Sequence, residues 1–193
     1  MARKGLTRER IIDEGCALVE EKGFDAFSMR ELAARLEVGP ASLYNHVSGL
    51  EELRQAMALH SADLMRQTLE QAMEGKTPDE AFLEGARAYR RFANEHPHGY
   101  QVLIRMPASN DAMLVQAAKD SFAPLRSVIR TLCTDEIRSL HFLRCFRAAI
   151  HGFVELTANG FMRRGAVTRD ETYEVMIHAY LKTLKGLSDH EEI

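Results

Sequence analysis

Residues 28–47, SMRELAARLEVGPASLYNHV, decide the fold, because they predict two short helices separated by a tight turn. Ser28 and Glu31 have the spacing of a capping box, which marks the start of the first of these helices. A break follows at residues 38–40, Val-Gly-Pro, because Gly suits the position before a helix and Pro suits its first residue. Two short helices joined in this way are typical of a helix-turn-helix.

The second helix of the pair is predicted to have one buried side and one exposed side. Leu43 and Val47 are four residues apart, so they fall on one face and are expected to point into the protein. The small and polar residues are left on the opposite face or at its edge, namely Ala41, Ser42, Tyr44, Asn45 and His46. An outward face of this kind is suited to reading the major groove of DNA.

The same stretch resembles the DNA-binding segment of the TetR family of dimeric bacterial transcriptional regulators. The residues that carry the resemblance are Arg30-Glu31-Leu32-Ala33, Leu36 with Val38, Leu43-Tyr44, and His46-Val47. The resemblance implies an all-α homodimer that binds a palindromic double-stranded DNA operator. It also implies that a small-molecule effector releases the protein from DNA, and that the regulator is a repressor, as is most often the case in the family. Two positions depart from the family pattern: Glu37 stands where Gly is usual, and Leu50 where a phosphate-contacting Lys is frequent.

The DNA contacts expected from this arrangement divide into two groups. Side chains that meet base edges are expected on the outward face of the second helix, with Pro40 adding an apolar contact. Hydroxyl, imidazole and guanidinium groups near helix ends are expected to hold phosphates, and Arg30 to reach either base or backbone. The full set of predicted DNA-binding residues is Thr7, Ser28, Arg30, Pro40, Ala41, Ser42, Tyr44, Asn45 and His46.

Charge alone does not predict a nucleic-acid-binding protein. The net charge is −3, and residues 1–50 hold 7 Lys and Arg against 8 Asp and Glu. Phosphate contacts usually require a basic footprint, so this balance counts against strong electrostatic attraction. The distribution is more favourable, because the first ten residues carry Arg3, Lys4, Arg8 and Arg10 against Glu9 alone.

Composition is that of an ordinary soluble globular protein, with 46% hydrophobic and 27% charged residues. No apolar run reaches the ~20 residues needed to cross a membrane, and the N-terminus has no apolar run typical of a secretory signal. Cys16, Cys133 and Cys145 are isolated, so neither a disulfide framework nor a metal site is predicted. We expect a cytoplasmic protein without a cofactor.

Helix start and stop signals predict about nine helices and no sheet. The first helix follows Thr7 and stops at Gly23, and a capping box of Ser48 with Glu51 opens a long helix at about residues 49–74. Later helices are expected at about residues 78–95, 100–105, 110–132 with a kink at Pro124, 135–164 and 169–187, two of them opened by Thr77 and Thr168.

The domain boundary is expected near residue 48, which gives a helix-turn-helix domain (1–47) and an effector-binding and dimerisation domain (48–193).

The last two helices carry apolar residues at spacings of three and four, which is typical of a helix that packs on another helix. Paired between two chains, they would close a four-helix bundle and bring two DNA-binding heads together on a palindrome. The predicted interface residues are Ile150, Phe153, Val154, Thr157, Phe161, Tyr173, Ile177, Tyr180, Leu181 and Leu184. The alternative is that these side chains only complete the core of one chain.

The resemblance also implies a cavity for an effector among large, adaptable side chains of the second domain. The candidates are Met65, Phe82, Tyr89, Phe92, Tyr100, Met106, Phe122, Phe142, Phe146, His151 and Met176. Again the alternative is a simple core. Gly152, inside a predicted helix, favours the close approach of another helix or a ligand.

Two other classes of function remain possible from the sequence. One is a helical interaction protein whose head has lost DNA binding and whose dimer docks a protein partner; the near-neutral head and Leu50 favour it. The other is a helical enzyme, which is disfavoured because no nucleophile elbow, phosphate loop or HExxH pattern occurs.

Overall fold

The computed structural model describes residues 5–23, 27–163 and 166–188. Within them the chain is all-helical, and each helix is bounded as follows: α1 Arg8–Lys22, α2 Met29–Arg35, α3 Pro40–Leu43, α4 Leu50–Met73, α5 Pro78–Glu95, α6 Pro97–Arg105, α7 Ala112–Asp120, α8 Ala123–Leu132, α9 Glu136–Ala158 and α10 Arg169–Ser188. The all-α prediction is confirmed. Arg3 and Lys4, counted above in the basic N-terminus, lie outside the described residues.

The chain forms two compact units, residues 1–64 with 96–119 and residues 65–95 with 120–193. The first unit contains α1 to α3, the first part of α4, α6 and α7. Its core is a cluster of buried apolar side chains: Ile11, Ile12, Leu18, Val19, Phe27, Leu32, Ala33, Leu36, Leu43, Val47, Leu53, Ala56 and Met57. The second unit contains the rest of α4 with α5, α8, α9 and α10, and it is built around packed aromatic rings such as Phe82 and Phe146, whose centroids are 4.7 Å apart.

Local capping signals place most helix starts correctly. Thr7 Oγ1 accepts a hydrogen bond from the Arg10 N–H, and Ser28 Oγ accepts one from the Glu31 N–H, each at 3.2 Å. The capping box at Thr77 is complete, with reciprocal bonds to Glu80. The box at Thr168 is complete in the same way with Glu171. The box predicted at Ser48 is wrong in its partner, because Glu52 rather than Glu51 accepts from the Ser48 N–H, at 2.9 Å.

The single kinked helix predicted at residues 110–132 is wrong. The chain forms α7 and α8 instead, with Phe122 as the N-terminal cap of α8 and Pro124 in its first turn. Pro costs nothing at that position, since the first N–H groups of a helix have no partner within the helix. Pro124 therefore starts a helix rather than bending one.

The predicted continuation of α9 to Arg164 is also wrong for the residues that the structure describes; Arg164 itself lies outside them. The helix ends at Ala158, and Gly160 adopts the left-handed conformation with φ of 86°. The Phe161 N–H donates to the Leu156 carbonyl at 2.9 Å, and the Gly160 N–H donates to the Thr157 carbonyl at 3.2 Å. This pair of bonds is the Schellman motif, which terminates a helix by reversing the chain.

Candidate nucleic-acid interface

The second helix of the helix-turn-helix has the orientation that the sequence predicts. Leu43 is fully buried and Val47 is 3% exposed, and both belong to the core of the first unit. Tyr44 is 55% exposed, Ala41 and Asn45 are exposed, and Ser42 and His46 are partly buried. The short apolar face thus holds α3 and the turn after it against the core, and the small-polar face is left on the surface.

The turn before α3 has a left-handed position, at which Gly is usual and at which this chain has Glu37. The Val38 N–H donates to the Ala33 carbonyl at 3.0 Å, and the Glu37 N–H donates to the Ala34 carbonyl at 3.1 Å. These bonds form a second Schellman motif, and Glu37 occupies its left-handed position with φ of 56°. A residue with a Cβ is strained there, so the turn forms at a cost in free energy.

Changing Glu37 to Gly is expected to raise the free energy of unfolding by about 0.5–1 kcal/mol, because relief of the left-handed strain outweighs the greater freedom of Gly in the unfolded chain. Urea unfolding at fixed protein concentration measures the change. Glu37→Gln is the matched control: it removes the same charge but keeps the strain, and no gain is expected. Equal stability of the two variants would contradict the strain at this turn.

The helix starts on the same unit offer further hydrogen-bonding groups. Thr7 and Ser28 are exposed, and each hydroxyl oxygen accepts a backbone hydrogen bond as a cap. The Ser28 O–H therefore remains able to donate to a phosphate oxygen, whereas the Thr7 O–H already donates to the Glu9 carboxylate. Arg30 lies exposed in the first turn of α2, and within the described part of the chain no carboxylate pairs with it.

A surface groove of about 480 Å³ lies beside the start of α3. It is lined by Gly5, Leu6, Arg10, Leu36, Glu37, Val38, Gly39 and Ser42. Arg10 and Ser42 therefore share one concave surface, next to the first residues of the candidate recognition helix. Glu37 lines the same surface and contributes a negative charge to it.

Several cations of the first unit are already paired with carboxylates. Arg8 contacts Glu52, and Lys22 contacts Glu31. Arg35 donates to Glu14 and Glu21, each at 2.7 Å, and the Arg35 hydrogen bond holds the pKa of Glu21 below its ordinary value. A phosphate must compete with these carboxylates, so the attraction of this surface for DNA is weaker than its number of cations suggests.

Leu50 is partly buried and packs against the core of the first unit. The side chain at this position is therefore used for packing and provides no charge for a phosphate. The Leu50 side chain has no hydrogen-bond donor, so it cannot make the phosphate contact that Lys frequently makes at this position in the family.

The candidate effector residues are mostly packed inside the protein. Nine of the eleven are buried: Met65, Phe82, Tyr89, Phe92, Tyr100, Met106, Phe122, Phe142 and Phe146; His151 and Met176 are partly buried. Tyr100 and Met106 belong to the first unit and the others to the second. Tyr89 meets Phe122 edge to face at 5.7 Å, and Phe142 stacks on Phe146 at 5.7 Å. These contacts fit the alternative interpretation, a packed core.

The second unit has an open groove of about 720 Å³ elsewhere, which none of the candidate effector residues lines. The groove lies among the end of α4, the start of α5 and α8, and its lining is Glu70, Gln71, Met73, Glu74, Lys76, Pro78, Ala81, Ala123, Pro124, Ser127, Val128 and Thr131.

The candidate interface residues of α9 and α10 divide unequally. Eight of the ten are buried within one chain: Ile150, Phe153, Val154, Thr157, Tyr173, Ile177, Leu181 and Leu184. Phe161 is 60% exposed and Tyr180 is partly buried. The burial of these eight side chains within one chain fits the alternative interpretation, in which they complete the core of the second unit.

The opposite faces of the same helices are exposed, apart from the partly buried Gly152, and contain none of the predicted interface residues. On α9 this outer face carries Cys145, Ala148, Gly152 and Leu156, at spacings of three and four. On α10 it carries Val175, Ala179 and Thr183. The two faces adjoin, because the Tyr180 hydroxyl of α10 donates to the Cys145 carbonyl of α9 at 3.5 Å. We call these seven residues the outer α9–α10 face.

Gly152 leaves open space on this face. Apart from the backbone of α9 itself, no atom of the described chain lies within 4 Å of the position that a Cβ would take at Gly152. Within the described residues, no other helix makes the close approach that a helical glycine suggests.

Among the described residues, His, Cys, Asp and Glu side chains do not gather in groups of three or more able to hold a metal ion. None of the described helices combines the length and hydropathy that a membrane crossing requires.

Comparison with known proteins places both ends of the chain in one family. Residues 11–57 match the family described as bacterial regulatory proteins, tetR family, and residues 82–180 match the family described as tetracyclin repressor-like, C-terminal domain. An HTH-type transcriptional regulator of Mycobacterium tuberculosis is 33% identical over 158 residues, which cover 81% of this chain and 72% of the relative.

Solved structures show the same fold. A protein from Rhodococcus sp. RHA1 superimposes with a TM-score of 0.80 at 20% identity, covering 95% of this chain and 98% of its own. A TetR transcriptional regulator from Streptomyces coelicolor superimposes with a TM-score of 0.76 at 17% identity, covering 95% and 100%.

Proposed function

Since the chain belongs to the tetR family of bacterial regulatory proteins and is a helix-turn-helix transcriptional regulator, we propose that it acts as a repressor. In this proposal a homodimer binds a palindromic operator in the cytoplasm, and a small-molecule effector releases it. The observation that carries the proposal is the orientation of α3, with Leu43 buried and the small-polar face on the surface.

Within this proposal the exposed face of α3 enters the major groove. Ala41, Ser42 and Asn45 meet base edges, and Pro40 contributes an apolar contact such as one to a thymine methyl. The contacts to the phosphates are made by a second group, namely Tyr44, His46, Thr7 and Ser28, with Arg30 reaching either base or backbone. All of these residues belong to the first unit, and all are exposed except Ser42 and His46, which are partly buried.

The homodimer in this proposal forms through the outer α9–α10 face. The face is exposed over two long helices, and its small residues allow two helix backbones to approach closely. Four helices, two from each chain, then form a bundle related by a two-fold axis. Two heads held in this way read two half-sites about one helical turn of DNA apart.

The proposed effector is a mainly apolar small molecule that binds among the aromatic side chains of the second unit. Phe82, Phe142 and Phe146 are in mutual contact, with centroids 4.7–6.0 Å apart. Binding therefore requires these rings to repack around the ligand, and the surroundings favour an apolar ligand with few polar groups. Release follows if repacking changes the spacing of the two heads relative to successive major grooves.

Operator binding is tested by selecting DNA from a palindromic library and titrating salt. Between roughly 50 and 200 mM salt, six or more phosphate contacts should weaken binding at least about a thousandfold. Tyr44→Ala is expected to weaken binding to all sequences about equally, roughly tenfold, and Asn45→Ala to relax the preference at one base position by about 1–3 kcal/mol.

Tyr44→Phe keeps the ring and removes only the hydroxyl, so it should weaken binding as Tyr44→Ala does if the hydroxyl is the group that contacts the phosphate. If Tyr44→Ala and Asn45→Ala both bind the selected operator as the parent does, the contact assignment is wrong.

The alternative proposal is a dimeric interaction protein whose head no longer binds DNA and docks a protein partner. The pairing of Arg8, Lys22 and Arg35 with carboxylates and the packing of Leu50 favour it. The salt titration separates the two proposals, because a steep loss of affinity with salt is required only of DNA binding.

A further inference from the structure

The first turn of α6 is capped by a side chain from another helix. The N-terminal cap residue of α6, His96, makes no capping hydrogen bond with its side chain, and Pro97 at the first position has no N–H. The next two N–H groups, of His98 and Gly99, donate to the carboxylate of Glu20 in α1, at 3.0 and 2.7 Å. One carboxylate thus satisfies two N–H groups that α6 cannot satisfy itself.

The negative charge of Glu20 is favourable at the start of α6 and unfavourable near the end of its own helix, α1. It lies in the last turns of α1, where the helix dipole disfavours a negative charge. At the N-terminus of α6 the dipole has the opposite sign, so the same carboxylate is stabilised there. The Glu20 side chain is only 20% exposed, and Nδ1 of His98 lies 3.3 Å from its Oε2 atom.

Gly99 permits this contact. A Cβ at Gly99 would lie 3.2 Å from Glu20 Oε1 and 3.1 Å from Ser61 Oγ of α4. Gly99 does not adopt a positive φ, so the close approach rather than the backbone conformation calls for glycine. A Cβ at Gly15 of α1 would lie 3.0 Å from Met57 Sδ of α4. Close contacts therefore join α6 to α1 and α4 at Gly99, and α1 to α4 at Gly15.

We infer that Glu20 is a positioning residue that couples α6 to the helix-turn-helix. The inference rests on the proposed DNA-binding function. α1 carries Glu20 toward its end, and the buried residues Leu18 and Val19 beside it belong to the core that also holds Leu43. A change in the position of α6 therefore acts on α1 through two hydrogen bonds, and through α1 on the packing of α2 and α3.

The test compares Glu20→Gln with Asp13→Asn. Both remove one negative charge from α1, which by itself favours DNA binding. The carboxylate of Asp13 lies 3.7 Å from the His60 ring of α4, so its ionic partner in the described chain is on α4 and not on α6. Glu20→Gln is expected to lower affinity for the selected operator about tenfold, which is within the usual range of coupling free energies between two sites. This loss is expected even though the removal of a negative charge by itself acts in the opposite direction. Asp13→Asn is expected to leave affinity unchanged or slightly raised.

Hydrogen exchange without DNA provides a second readout. In Glu20→Gln the amides of His98 and Gly99 are expected to exchange about tenfold faster, and amides of α2 and α3 to exchange faster as well. Gly99→Ala displaces the same carboxylate from the other side, so its effect and that of Glu20→Gln should not add.

Equal operator affinity of Glu20→Gln and Asp13→Asn, or unchanged exchange in α2 and α3, overturns the inference. If the parent protein selects no DNA at all, the proposed function fails, and the exchange measurement alone then decides whether α6 is coupled to α2 and α3. A loss of folding in Glu20→Gln would show as exchange throughout the chain, and Gly99→Ala then replaces it in both measurements.

Discussion

Ala179→Glu is expected to leave the chain folded, to convert dimers into monomers, and to lower operator affinity about a hundredfold or more. Ala179 is exposed on α10 in the outer α9–α10 face, so in the single chain a carboxylate there reaches water. In a two-fold dimer the substitution buries two unpaired charges, which costs about 3 kcal/mol or more. Each 1.4 kcal/mol is about a factor of ten in affinity, and that loss sets the expected hundredfold effect.

The measurement is sedimentation of the two proteins over a range of concentrations, followed by titration of the selected operator. Ala112→Glu is the matched control, because it introduces the same side chain at an exposed alanine of α7, which is not one of the residues of the outer α9–α10 face. Its dimerisation and operator affinity should match those of the parent. A dimer of Ala179→Glu as tight as the parent's would rule out this face.

The cysteines provide an independent footprint of the same face. Cys145 lies exposed on it, whereas Cys133 is 1% exposed. Burial raises the pKa of the Cys16 thiol to about 12, so almost no reactive thiolate forms there at neutral pH. Alkylation should therefore occur mainly at Cys145, slow as the parent dimerises, and stay fast in Ala179→Glu. Reactivity that does not depend on concentration would contradict the assignment.

The positions that the sequence predicted well depend on contacts between near neighbours in the chain. Thr7, Ser28 and Thr77 cap helices through residues three positions away, so the pattern itself contains both partners. The burial of Leu43 and Val47 follows from their four-residue spacing in the same way.

The errors have physical causes that the sequence pattern does not contain. Pro124 can bend a helix or start one, and only the preceding backbone at Phe122 decides between them. Apolar spacing in α9 and α10 shows which residues are buried but not which chain buries them, so the sequence left two interpretations open for Phe153 and Ile177, and both side chains are buried within the single chain.

The features that the sequence pattern did not predict involve small residues or partners distant in the chain. Ala148, Gly152 and Ala179 have little or no side chain, so a pattern of large apolar residues does not include the face they form. Glu20 and Gly99 are 79 positions apart, and no local pattern relates a carboxylate in one helix to the N–H groups of another.

Leu43→Ala is expected to lower the free energy of unfolding by about 2–5 kcal/mol, the usual cost of removing most of a buried leucine side chain. Leu43 is fully buried, and in the four-residue helix α3 it is the only buried residue, so few other contacts can compensate for its loss. Unfolding by urea at fixed protein concentration measures the effect, and Leu43→Met should cost less than about 1.5 kcal/mol because it nearly conserves volume.

The neighbouring residue separates stability from recognition. Tyr44 is 55% exposed, so Tyr44→Ala should change the free energy of unfolding by no more than about 0.5 kcal/mol while it weakens DNA binding. Leu43→Ala should weaken DNA binding too, but through the loss of the contact that fixes the orientation of α3. If Leu43→Ala proved as stable as the parent, α3 would not dock through this residue, and the outward direction of Ser42 and Asn45 would lose its physical basis.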